Sequence, residues 1–194
     1  MLYPEIQPGA KALIFDLDGT LADSIPVHIE CWNRTCRTFN YHFPVEIMIR
    51  MTGMPTRRFA EYIKQDSGCS LSVDEIMKLK QSNFRELVHT IKPVEKMADF
   101  VKEYHGQIPM AIGTGGGKRS SQAILEAIGL RNYFDILVTA DDVTNHKPEP
   151  DTFLKCAELM GVEPEFCQVF EDGEMGMKAA RTAGMMVTDV RQYY

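Results

Sequence analysis

Asp16 and Asp18 stand with one residue between them, directly after the apolar run Ala12-Leu13-Ile14-Phe15. Two carboxylates at the C-terminal end of a buried strand are costly, because an ionised acid there needs a metal, a cation or backbone donors. Gly19-Thr20 supplies a tight turn that lets both acids face one pocket. Asp and Gly are also ordinary turn residues, so the pair acquires meaning only from its company. That company is Gly113-Thr114, Lys147 in Asn145-His146-Lys147-Pro148, and Glu171-Asp172. Acids, a hydroxyl and a lysine on one rim fit phosphate chemistry with Mg²⁺, which takes hard oxygen ligands and shares them with a phosphate oxygen.

The physics explains why all these groups are needed together. A carboxylate attacking a phosphate dianion meets repulsion of about 4 kcal/mol per charge pair at a separation of ~4 Å and an effective dielectric of ~20. A cation and a lysine must offset it, and the donors must be in place before reaction.

The elements that would position these groups follow from periodicity. Helical spacing through Val94, Met97, Ala98 and Val101 precedes an apolar strand, Pro109 to Gly113. A helix through Ala123, Ile124, Ala127 and Ile128 stops at Gly129, and a strand over Asp135–Thr139 follows. A helix from Pro150 to Met160 ends at Gly161, and the strand Cys167–Phe170 leads into Glu171-Asp172. A last helix through Met177, Ala180 and Ala183 ends at Gly184, before the strand Met185–Asp189. Short apolar strands alternating with helices predict a parallel sheet covered on both faces, with its site at the carboxyl ends of the strands. Residues 22–92 differ: they show helical spacing at His28–Phe39, Arg57–Ile63 and Val73–Val88 and no clear buried strand. The expected fold is α/β, a Rossmann-like parallel-sheet core formed by residues 1–22 and 92–194, with an inserted small α-helical cap over residues 23–91.

Composition narrows the function classes. The 194 residues carry a net charge of −6, which argues against nucleic acid or an anionic membrane as partner. It leaves room for an anionic substrate in a locally basic pocket. No apolar run reaches the roughly 20 residues needed to cross a bilayer, and Met1 to Ile6 lacks the features of a signal peptide. The five cysteines form no CxxC pair and read as reduced thiols of a cytoplasmic protein, with Cys156 and Cys167 in the core. No heptads or sticky strands stand out, so a monomer is expected. Gly113-Thr-Gly-Gly-Gly-Lys118 fails as a nucleotide-binding loop, because the spacing between its glycines is wrong and Arg119 follows the lysine. Its glycines suit backbone amides approaching a phosphate. His42, His89, His105 and His146 have no metal-ligand spacing.

In this order, DLDGTLADS at 16–24, GTG at 113–115, HKPEPDTF at 146–153 and FEDGEMGMKAARTAGM at 170–185 resemble the haloacid dehalogenase superfamily. The likeness is to its small-cap subfamily of β-phosphoglucomutase-like and sugar-phosphate phosphatase proteins, and it covers nearly the whole chain. The resemblance implies that Asp16 is the nucleophile and Asp18 the general acid and base. It further implies Mg²⁺ on Asp16, the Asp18 carbonyl and Asp172, with Glu171 direct or through water, and Thr114 and Lys147 on the phosphoryl group. By the same resemblance, His28 orients Asp18, Trp32 lines the pocket, and Gly115, Gly53, Thr56 and Arg57 contribute to substrate binding. The implied activity is a Mg²⁺-dependent phosphatase of a small phosphomonoester such as fructose 1-phosphate.

One departure bears on the rival reading. Mutases often place Arg three residues after the cap-loop glycine, and here Thr56 stands there, with Arg57 one later. This favours the phosphatase over β-phosphoglucomutase. A non-catalytic binding protein on the same fold would tolerate loss of Asp16 or Asp18, and both are present. Glu174 reads as a helix-start residue favoured by the helix dipole, with a place near the metal as the alternative.

Overall fold

The computed structural model describes residues 3–51 and 54–194, apart from the side chains of residues 48–50. Gly53, expected to contribute to substrate binding, lies outside the described residues. The chain begins with β1 (Ala12–Phe15), β2 (Ala22–Asp23), α1 (Ile25–Arg37), α2 (Val45–Arg50), α3 (Thr56–Ser67) and α4 (Val73–Leu87). It continues with β3 (Lys92–Pro93), α5 (Glu95–Tyr104), β4 (Met110–Gly113), α6 (Lys118–Ala127) and β5 (Ile136–Val138). The last elements are α7 (Asp151–Met160), β6 (Cys167–Glu171), α8 (Glu174–Thr182) and β7 (Met186–Asp189).

Five strands form a parallel sheet in the order β5-β4-β1-β6-β7. The expected parallel core is therefore present. Strand β1 sits at the centre, and its neighbours β4 and β6 lie far along the chain, which makes its carboxyl end the topological switch point. Its side chains alternate between two apolar clusters: Ala12 and Ile14 join one, Leu13 and Phe15 the other. Phe15 stacks on Phe170 of the paired strand with ring centroids 5.0 Å apart. A fully buried Phe of this kind contributes about 1.5–3 kcal/mol over an exposed one, so β1 is held firmly on both faces.

Four helices, α1 to α4, fill the stretch between β2 and β3. Their own apolar cluster gathers Trp32, Cys36, Phe43, Phe59, Ala60, Ile63 and Ile76. Helix α4 starts with a capping box, in which the Ser72 hydroxyl accepts from the Glu75 amide and the Glu75 carboxylate accepts from the Ser72 amide. The periodicity missed α2, which is only six residues long and too short to show a stripe. It also missed that the two connections pair as an antiparallel ribbon, Ala22 with Pro93 and Asp23 with Lys92. Each contributes two residues, too few to alternate visibly. The expected helix over His28–Phe39 begins earlier, at Ile25, where Pro26 sits in the first turn without breaking the helix.

Candidate active site

Asp16 follows the last residue of β1, Thr114 the last of β4, and Glu171 closes β6, so three neighbouring strands deliver their polar groups to one rim. Lys147 reaches the same place from the loop before α7. Its side chain is fully buried, and its Nζ donates to Asp16 Oδ1 at 2.6 Å and to Glu171 Oε2 at 2.7 Å. Burial alone would push this ammonium down, but the two carboxylates outweigh it and hold Lys147 charged.

Asp16, Glu171 and Asp172 can bring one carboxylate oxygen each within 4.8 Å of one another. Burial, and then the neighbouring Glu171, raise Asp16 well above the ordinary carboxylate range and Asp172 to about 7. Three acids sharing one lysine are short of positive charge, and hard oxygens this close fit a divalent cation. Thr20 donates to Asp172 Oδ1 at 3.0 Å, and the amides of Asp172 and Gly173 donate to Glu171 Oε1 at 3.1 and 2.9 Å. The cluster is also framed by two glycines. A Cβ on Gly19, whose φ is +86°, would lie 2.3 Å from Asp172 Oδ2, and one on Gly176 would fall 1.8 Å from Glu171 Oε2.

Asp18 behaves differently from Asp16. It accepts from the Ser24 hydroxyl at 2.5 Å and bonds His28 Nε2 at 2.9 Å. Burial pushes its pKa up, but His28, Ser24 and the charge of Lys80 outweigh that and leave it lowered. Ser24 occupies the cap position of α1 yet makes no capping bond, so the site takes a hydroxyl that would otherwise stabilise the helix by about 1 kcal/mol.

Of the expected residues, Asp16, Asp18, Thr114, Gly115, His28, Trp32 and Thr56 wall a cavity of about 50 Å³, whereas Lys147, Glu171 and Asp172 lie outside its lining. Thr114 accepts from the Gly116 amide at 3.0 Å, which fixes the start of the glycine loop. Trp32 is buried between Phe43 and Phe59, so it is a core residue whose edge also lines the pocket. Arg57 lines only the adjoining cavity of about 340 Å³ and donates to Asp74 at 2.6 Å. Glu174 accepts from Arg191 at 3.1 Å on the surface, and it is absent from the acid cluster.

Sequence reasoning missed Lys80. It is buried on α4, lies 3.0 Å from His28 Nδ1, and walls both cavities. The available signal was a lysine four residues from both Ile76 and Phe84, in the buried stripe of its helix.

Comparison with known proteins agrees with this geometry. The chain is 42% identical over 92% of its length to Fructose-1-phosphate phosphatase YqaB of Escherichia coli, covering 95% of that protein. It is 31% identical over 90% of its length to a phosphorylated carbohydrates phosphatase of Thermotoga maritima, covering 82% of it. The crystal structure of a hydrolase from Pseudomonas syringae superposes with a TM-score of 0.76 at 28% identity, over 92% of this chain and 84% of that one. Among the described residues no helix is long and apolar enough to cross a membrane. Residues 13–190 match the haloacid dehalogenase-like hydrolase family, to which this chain belongs.

Proposed function

We infer that this hydrolase is a Mg²⁺-dependent phosphatase of a small phosphorylated sugar, with fructose 1-phosphate as the first substrate to test. The observation that carries the reading is Lys147 buried between Asp16 and Glu171, in a cluster with Asp172, while Asp16 also lines a cavity of about 50 Å³. We read residues 1–22 and 92–194 as the catalytic core and 23–91 as a cap whose residues select the rest of the substrate.

Asp16, Asp172 and Glu171 would hold the cation, together with the Asp18 carbonyl. Bound there, Mg²⁺ supplies positive charge that offsets the repulsion between acid and phosphate dianion. Asp16 attacks phosphorus and forms an aspartyl phosphate, while the sugar oxygen leaves. Asp18 gives that oxygen its proton, then takes one from the water that hydrolyses the intermediate. In the structure Asp18 is held ionised by His28 and Ser24, which suits the second step. An incoming phosphate dianion raises its proton affinity by like-charge repulsion, which suits the first. Lys147 orients Asp16, and Thr114 with the amides of the glycine loop binds the transferring oxygens.

Thr56, in place of a mutase-type arginine, walls the pocket and presents no charge to a second phosphate. The test is a panel of sugar phosphates, including β-glucose 1-phosphate with its bisphosphate activator, assayed with Mg²⁺ and with a chelator. Cation-dependent phosphate release supports the reading. Formation of glucose 6-phosphate without phosphate release would make the protein a mutase.

A further inference from the structure

The acid cluster is reached from two sides. Asp16 faces the small phosphate pocket. Asp172 instead faces a separate cavity of about 660 Å³, bounded by Gly19, the β2–β3 ribbon, the start of α5 and Tyr194. Ile25 belongs to both walls and stands between the two spaces.

The charges on the two approaches are opposite. The cavity beyond the phosphate pocket carries Lys80, Lys118 and Arg119, besides Arg57, which Asp74 neutralises, against a single lining carboxylate, Asp141. The cavity at Asp172 carries Asp23, Glu95 and Asp172 against a single lysine, Lys96. A cation approaching through the first would climb a positive field, whereas through the second it descends a negative one. A phosphate dianion meets the reverse. Among the described residues Asp23 makes no ion pair that would cancel its field.

We propose that the cavity between Tyr194 and the β2–β3 ribbon is the route by which the divalent cation reaches Asp172, separate from the route of the phosphorylated substrate. The proposal rests on the reading of Asp16, Glu171 and Asp172 as the cation site. Asp23 and Glu95 draw the cation in, Lys96 sets how strongly, and Tyr194 forms part of the wall. Substrate and cation then load independently.

Electrostatic guidance changes association more than dissociation, so the test is the rate of Mn²⁺ uptake by the full chain, without substrate. Rapid mixing with a fluorescent chelator that reports free Mn²⁺ gives this rate. At low salt Asp23→Lys should slow uptake about threefold to tenfold, and Lys96→Glu should speed it by a similar factor. Both effects should fade at high salt, and Mn²⁺ release should stay within about twofold of wild type. Lys118→Ala should leave uptake unchanged. Faster uptake in Lys118→Ala with no change in Asp23→Lys would place the cation route in the substrate cleft and overturn the proposal. So would three variants that all match wild type. Failure of the site reading looks different: Mn²⁺ would not bind wild type, or would bind Asp172→Asn as tightly, and the proposal would fall with it.

Discussion

Lys80 Nζ lies 3.0 Å from His28 Nδ1, and His28 Nε2 lies 2.9 Å from Asp18 Oδ1. An ammonium only donates, so His28 Nδ1 accepts and its Nε2 hydrogen points at Asp18. Lys80 thereby selects the tautomer that keeps Asp18 in place. Burial, and then Lys80, push His28 below its ordinary range, and burial lowers Lys80 as well. This lysine is costly to the fold, because its partner is a ring nitrogen and, among the described residues, no carboxylate forms an ion pair with it.

Lys80→Met should therefore separate stability from activity. Removing a buried cation without a carboxylate partner should stabilise the fold by about 1 kcal/mol, seen as a higher Tm. Turnover should fall about tenfold or more. Part of what lowers the Asp18 pKa is lost, so the acid limb of the pH–rate profile should move to higher pH. A less stable, fully active variant would remove Lys80 from the account.

Replacing Lys147 should do the opposite. Lys147→Met leaves the Asp16 and Glu171 carboxylates buried without their shared cation. Breaking one partner from such a group costs about 3–5 kcal/mol. Thermal unfolding should show this loss in a chelator, and Mg²⁺ should restore part of it. Equal Tm values with and without Mg²⁺ would mean that the cation does not sit on these acids.

The glycines give a steric test of the same cluster. Gly19→Ala combines a left-handed φ of +86° with a Cβ 2.3 Å from Asp172, and Gly176→Ala drives a Cβ into Glu171. Both should weaken Mg²⁺ binding tenfold or more by calorimetry, because each displaces a carboxylate rather than merely loosening a turn. A control at Gly68, also at positive φ but with open space beside it, should cost stability alone.

Cation affinity should depend on pH with a sign fixed by Asp172. Burial, followed by Glu171, raises its pKa to about 7, so below that pH it carries a proton that an arriving cation must displace. Affinity therefore rises as pH increases through 7 and should be about tenfold weaker at pH 6 than at pH 8. Calorimetry in buffers of different ionisation enthalpy should show proton release on binding at pH 6. Binding that is flat across this range would contradict the coupling of Asp172 to the site.

The central acids were legible in the sequence because each sits at a strand end, where an apolar run stops at a carboxylate. Asp16, Thr114 and Glu171 converge because β1, β4 and β6 are neighbours, an order that the alternation of strands and helices did not give and only the folded chain shows. Lys80 was not legible: its meaning depends on α4 turning that face toward His28. The role of Ser24 was hidden for the same reason: only the fold shows that it stands at the start of α1 and gives its hydroxyl to Asp18. The opposed charges of the two cavities arise from residues far apart in sequence, such as Asp23, Lys96 and Tyr194, and only the folded chain brings them together.

The measurement that bears most directly on the account is phosphate release from fructose 1-phosphate by wild type and Asp16→Asn, with Mg²⁺ saturating and substrate binding monitored in both. Wild type should release phosphate, and Asp16→Asn should fold, bind the ester and turn it over at less than about a thousandth of the wild-type rate. A variant that keeps a larger share of the activity would contradict covalent catalysis at Asp16, and with it the reading of the whole strand-end cluster.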